Sequence, residues 1–202
     1  MKFNRLILPL ILSSSVVLSG CSTVSAVSSV ANIALEAAGL KKPDMPELPE
    51  AQQPARNIII RLHASENLNT DPAGRPLALL TKIYKLRQSA SFQQMPYDAF
   101  LNPQKEKDML GADVLEVKEV MLVPGQHYEV TEKVSKEAYF VGVVALFRDP
   151  AAQRWRVSFP SKEAEQSGIT VGLHGCSLTV GIGSAIYDRE APLKPQSPAK
   201  CS

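Results

Sequence analysis

The chain has 202 residues, with 22 basic and 20 acidic side chains and a formal net charge of +2. That balance excludes the concentrated basic face that nucleic-acid binding requires. The length fits one domain with a core large enough to be stable alone.

The chain opens with Lys2 and Arg5, an apolar run from Leu6 to Leu18, and then Ser19-Gly20-Cys21. A positive start, a short apolar stretch and a small-residue end are the three parts of an export signal. The run is shorter than the ~20 apolar residues needed to span a bilayer. Leu18-Ser19-Gly20-Cys21 resembles the lipobox of bacterial lipoproteins, which implies a signal peptide over 1–20 and a covalent lipid on Cys21. Loss of Lys2 and Arg5 would leave the mature chain without net formal charge. Each acyl CH₂ contributes ~0.8 kcal/mol on burial, so the lipid is the expected footing on the membrane. Ser22 rather than an aspartate follows Cys21. By resemblance to sorted lipoproteins of double-membrane bacteria, this implies the outer membrane, periplasmic face.

Residues 21–55 divide in two. Val24, Val27, Val30, Ala31, Ala34, Leu35 and Ala38 recur at helical spacing, and Gly39 is a plausible stop. From Lys41 to Ala55, Pro43, Pro46, Pro49 and Pro54 favour an extended, semi-rigid tether.

From Arg56 the pattern becomes one of strands. Ile58, Ile60, Leu62 and Ala64 alternate with Asn57, Arg61 and His63, while Ile59 suggests cover on both faces. Leu77 to Arg87 is a second strand. Leu115 and Val117 are out of phase with Val120 and Leu122, which predicts a bulge near Lys118–Glu119. Pro124-Gly125 is a turn, after which Tyr128, Val130 and Val134 alternate with Glu129, Thr131 and Lys133. Ala138 to Phe147 is almost wholly apolar and reads as a central strand. Trp155, Val157 and Phe159 mark the next strand. Ile169, Val171 and Leu173 mark another, and Leu178, Val180 and Ile182 the last. About eight short strands separated by turns predict a mostly β fold, a sandwich or barrel, over residues 56–184. Between the second and third strands, Ser89 to Gly111 reads as one or two short helices, with Pro96 and Pro103 at first-turn positions. Residues 185–202 form a polar tail.

No catalytic constellation emerges, and the chain reads as no enzyme. His63, His127 and His174 lack metal-ligand spacing, with His63 and His174 at outward strand positions. Gly181-Ile182-Gly183-Ser184-Ala185 lacks the glycine that a nucleophile elbow needs. Glu116 and Glu119 read as neighbours on one solvated strand face. No metal and no cofactor are expected beyond the lipid. Once Cys21 is lipidated, Cys176 and Cys201 remain, and two cysteines in an exported chain usually pair. The bridge is worth ~3–4 kcal/mol if its effect is chain entropy. Phe140, Phe147, Trp155 and Phe159 fall at strand period and read as core. The alternative is that they line an apolar pocket in a periplasm-facing lipid- or ligand-binding lipoprotein.

The segment from Glu66 to Pro76 is long for a hairpin loop and rich in Asn, Asp, Pro and Gly. Composition alone allows a binding loop or a solvated connection. Arg75 could reach a partner carboxylate or pin the loop to Asp71.

The stretch from Leu68 to Phe92 carries an Asn-rich loop, Gly74-Arg75-Pro76, then Ile83-Tyr84-Lys85-Leu86 and Phe92. With Met109 to Gln126, Ala138 to Pro150 and Arg154 to Phe159, in that order, it resembles the outer-membrane lipoproteins of type VI secretion systems, the TssJ family. The resemblance spans roughly Ile58 to Phe159. It implies a transthyretin-like β-sandwich with a small helical insertion, here about 91–110, and no enzymatic activity. It also implies a role as tether, holding the periplasmic C-terminal region of the large inner-membrane component (TssM) to the outer membrane. The loop between the first two strands would contribute to that contact. In this chain it is Asn67, Leu68, Asn69, Thr70, Asp71, Pro72, Ala73, Gly74 and Arg75.

Overall fold

The computed structural model describes Pro49 and residues 52–186. The expected signal segment, Cys21, the helix expected over Val24 to Leu40, most of the proline tether and Cys201 lie outside the described residues.

Among the described residues, eight strands form two four-stranded sheets. The first sheet has the order β4-β1-β7-β8, from β1 (Arg56–Ala64), β4 (His127–Val134), β7 (Ile169–Leu173) and β8 (Leu178–Ile182). The second has the order β3-β2-β5-β6, from β2 (Leu79–Leu86), β3 (Val114–Leu122), β5 (Phe140–Ala145) and β6 (Arg156–Pro160). Pairing is antiparallel except between β1 and β7. The fold is thus mostly β, as the strand periods predict.

Period-two burial builds the interior. Ile58, Ile60 and Leu62 of β1 and Ile169, Val171 and Leu173 of β7 are buried with Leu79, Ile83, Val120 and Leu122 of the other sheet. Full burial of such a side chain stabilises by roughly 1.5–3 kcal/mol. Ile59 departs from expectation: it is 37 % exposed, so β1 is covered on one face only. The bulge expected at Lys118–Glu119 is also absent. Register is continuous from Leu79 opposite Leu122 to Lys85 opposite Glu116, and shifts only between Lys85 and Leu86. Two partly apolar faces, not an extra residue, produce the change of phase: Val120 and Leu122 face the other sheet, and Val117 faces away. Glu116 and Glu119 consequently lie on opposite faces of β3, paired with Lys85 (2.8 Å) and Lys82 (3.5 Å) respectively.

The inserted segment forms three short helices rather than one or two: α1 (Ala90–Gln94), α2 (Tyr97–Phe100) and α3 (Pro103–Leu110). Asn102 caps α3, its side chain accepting from the Gln104 and Lys105 N–H groups, with Pro103 in the first turn. The insertion covers the outer face of the second sheet, which is why β2 and β5 are buried along almost their whole length. Tyr84, Phe92 and Phe100 meet edge to face at 5.3–6.0 Å, and Trp155 joins Phe100 and Tyr97. Gly142 makes the approach possible: a Cβ there would lie 2.7 Å from the Phe92 ring. Phe147, Trp155 and Phe159 are buried in this core and Phe140 packs against it, so these aromatics are packing rather than pocket lining. A groove of about 380 Å³ lies elsewhere, between α3 and β3, lined by Lys82, Glu106, Leu110 and Val117 among others.

Charges close one side of the sandwich. Lys85 of β2 reaches Glu132 of β4 (3.1 Å) as well as Glu116, and Lys118 of β3 also bonds Glu132 (2.6 Å). The bridges span the two sheets at the edge strands β3 and β4, where inward charges discourage pairing with another chain. Burial pushes the Glu132 carboxyl up, but Lys118 and Lys85 outweigh it and hold it below its ordinary value. The hydrogen bond to Glu132 in turn raises Lys118. A second buried network sits under the insertion, where Glu106 accepts from Lys82 Nζ (2.6 Å) and Tyr84 Oη (2.7 Å). Burial first, and then Glu106, raises the Tyr84 phenol.

Candidate functional site

The connection between β1 and β2 is anchored at its base and open only at its tip. Asn67 is exposed and its Oδ1 accepts from Ser65 Oγ (2.6 Å). Leu68 turns inward and is fully buried in the core. Asn69 is buried too, in the left-handed region at φ 48°, a conformation that asparagine tolerates better than most residues. Its Nδ2 donates to the Ala78 carbonyl and its Oδ1 accepts the Arg148 N–H, both at 2.8 Å. It therefore ties the loop to the start of β2 and to the β5–β6 connection.

The loop also leans on the turn between β7 and β8. Asn69 N–H donates to His174 O and Thr70 N–H to Gly175 O, both at 3.0 Å. Cys176, in that same turn, is disulfide-bonded. The Cys176 carbonyl accepts from Ala151 N–H (2.8 Å), so the turn braces the β5–β6 connection as well.

Asp71 organises the tip. Its Oδ1 accepts the backbone N–H groups of Ala73 and Arg75, each at 2.9 Å, and its Oδ2 accepts Arg75 Nε at 2.7 Å. Main-chain bonds from Asp71 N–H to Arg75 O and from Gly74 N–H to Asp71 O close the turn. Gly74 sits at φ 76° with no atom near its missing Cβ, so conformation rather than space favours glycine there. The Arg75 N–H, above all, holds the Asp71 carboxyl below its ordinary range. Partial burial acts the other way, while the Arg75 side chain, the Ala73 N–H and the Arg148 charge add to the lowering. Pro72, Ala73, Gly74, Arg75 and Pro76 are exposed, and Leu77 is partly so.

Of the nine loop residues singled out in the sequence, Asn67 and Thr70 to Arg75 therefore present accessible surface, while Leu68 and Asn69 are anchors. Arg148, His174 and Gly175 were not legible as loop supports, because nothing local marks residues that meet the loop from 70 or more positions away. Elsewhere, His63 and His127 meet edge to face across β1 and β4 at 4.7 Å. His174 lies in the β7–β8 turn rather than on a strand and pairs with Thr179 Oγ1 (3.0 Å). Among the described residues, no group of three metal ligands occurs, and no helix is long and apolar enough to cross a membrane.

Comparison with known proteins bears on this geometry. Residues 56–176 match the family described as type VI secretion lipoprotein, VasD, EvfM, TssJ. Among solved structures, the chain is similar to one described as the type VI membrane complex, at 28 % identity and a TM-score of 0.58, over 63 % of this chain and 98 % of that one. It is similar to the T6SS lipoprotein TssJ1 from Pseudomonas aeruginosa, at 26 % identity and a TM-score of 0.58, over 69 % and 100 % of the two chains. A third similar structure is described as the TssM C-terminal domain from EAEC, at 27 % identity and a TM-score of 0.54, over 62 % and 98 %. No curated protein matches the chain.

Proposed function

This chain belongs to the type VI secretion lipoprotein family that includes TssJ, and from that premise we propose that it tethers the trans-envelope secretion complex to the outer membrane. In this reading residues 1–20 are removed, lipid on Cys21 holds the chain in the periplasmic leaflet, and residues 21–55 set the distance to the sandwich. The loop tip then holds the periplasmic C-terminal region of the large inner-membrane component, a TssM-type protein. The role is mechanical rather than catalytic and uses no cofactor beyond the covalent lipid. The C-terminal tail, residues 185–202, returns Cys201 to the disulfide at Cys176.

One observation carries the reading: the tip stands on a base that the core, the β7–β8 turn and the β5–β6 connection all immobilise. A tip organised before contact loses little entropy on binding, and a stiff mount transmits force to the sandwich and its anchor. The test is a pull-down from detergent-solubilised envelopes with the native chain and with Cys21→Ser. The native chain is expected to recover the TssM-type protein and to carry it into outer-membrane fractions, and Cys21→Ser is expected to lose that cofractionation. Recovery of no such protein by the native chain would sink the proposal.

A further inference from the structure

We propose that His63 and His127 form a two-histidine chelate for a divalent late first-row transition ion, Cu²⁺ above all, on the outer face of the first sheet. The site is independent of the tether reading, and the ion is no cofactor of that role.

Strand pairing builds the chelate. His63 of β1 and His127 of β4 are register partners. The next residues along, Ala64 and Gln126, are joined by the Ala64 N–H donating to the Gln126 carbonyl at 2.9 Å. Antiparallel pairs alternate between hydrogen-bonded and non-hydrogen-bonded, so His63 and His127 form a pair of the second kind, in which the Cα atoms approach to about 4.5 Å and the side chains stand closest. Their rings meet edge to face with centroids 4.7 Å apart. Both residues are exposed, and the χ2 torsion of histidine is broad. A turn about χ2 brings one nitrogen of each ring toward a shared ion without displacing packed atoms. The strands already fix both Cβ positions, so binding costs little backbone order.

The surroundings do not repel a cation. Arg61, the next outward residue of β1, is paired with Glu129 at 2.6 Å. Glu66 adds an exposed carboxylate whose Oε1 lies 2.6 Å from where a Cβ on Gly125 would stand, two residues before His127. The third histidine of the chain borders the pair from the other side. Gly172 of β7 is a register partner of His63, and His174 Nε2 lies 3.2 Å from where a Cβ on Gly172 would stand. That nitrogen is engaged with Thr179 Oγ1 at 3.0 Å. The chelate therefore has two protein ligands, with its remaining positions open to water. Imidazole nitrogens with water oxygens suit the tetragonal geometry of Cu²⁺, which binds such sites most tightly among the divalent ions of the series.

The experiment titrates the detergent-solubilised full-length lipoprotein with cupric chloride, read by calorimetry and by electron paramagnetic resonance. The expected result is one ion per chain, with hyperfine coupling to a pair of imidazole nitrogens. Affinity is expected to fall between about pH 7.5 and about pH 5, as protons compete for the rings. Zinc chloride is expected to bind more weakly. His63→Ala and His127→Ala are each expected to raise the Kd for Cu²⁺ by about 100-fold, because the second ligand of a chelate acts at high effective concentration. His174→Ala is expected to leave that Kd unchanged, and thermal unfolding of every metal-free variant should match wild type. Wild-type affinity in the chain carrying both His63→Ala and His127→Ala would overturn the proposal and leave an adventitious ion only. A loss on His174→Ala as large as that on His63→Ala would overturn the two-ligand assignment. Failure of the native chain to take up Cu²⁺ would overturn it outright.

Discussion

The Asp71–Arg75 pair at the loop tip and the Lys85–Glu132–Lys118 bridge at the sandwich edge use the same chemistry to opposite ends. Both join a carboxylate to cations at 2.6–3.1 Å. At the edge, Lys85 and Glu132 are buried and join two sheets, so the charges serve the fold and have nothing left to offer a partner. At the tip, the carboxylate is sheltered and the guanidinium is not, so the pair costs the fold little and leaves one component available. Burial, not the ion pair itself, decides which is structural and which is a candidate for recognition.

Breaking the edge bridge has the largest expected effect. Glu132→Ala leaves Lys85 and Lys118 without their shared carboxylate and is expected to destabilise by about 3 kcal/mol or more, read by urea unfolding. Partner affinity of the molecules that remain folded should be unchanged. Gly142→Ala sharpens the contrast from the core side. Its Cβ would push Phe92 off β5, with an expected cost of about 1–3 kcal/mol and a matching fall in melting temperature. Asn69→Ala sits between the two regions. It removes two hydrogen bonds from a buried site, with an expected cost of about 1–3 kcal/mol. It should also speed hydrogen exchange at Thr70 and Arg75 and weaken partner binding, because the mount loosens.

The smallest effect is in pH. The folded Asp71 carboxyl lies below its unfolded value near 3.8, so its contribution to tip order is complete above that value. It is lost as pH falls through the folded pKa. Glu132 behaves in the same sense from an unfolded value near 4.5. An NMR titration of the two carboxyls is expected to give midpoints below 3.8 and 4.5; a midpoint above either would contradict the corresponding network.

Much of this architecture was legible. The alternation in β4 and, Ile59 apart, in β1, the apolar run that becomes β5, the Pro124-Gly125 turn and the inserted helices follow from period and turn chemistry. What escaped has a common physical cause. Lys82, Lys85 and Glu132 look like ordinary strand charges until the two sheets and the insertion bring them together from distant positions. Ile59 looks buried because local hydrophobicity does not state which face another layer covers. The phase change in β3 reads as a bulge because a strand with two different neighbours mimics one with an extra residue. In the loop, composition identified the whole segment, but only the packing of Leu68 and the hydrogen bonds of Asn69 separate its anchor from its tip. Removing Asn67 to Arg75 entire would therefore injure the core, and a change confined to residues 71–75 is the informative one.

The central claim is that this tip, on its rigid mount, holds the secretion complex. The most direct measurement is the affinity of the full-length lipoprotein for the TssM-type periplasmic region, with and without the triglycine replacement of residues 71–75, alongside thermal unfolding of both. Lost binding with an unchanged melting temperature is the expected result. Wild-type affinity in the replaced chain would contradict it.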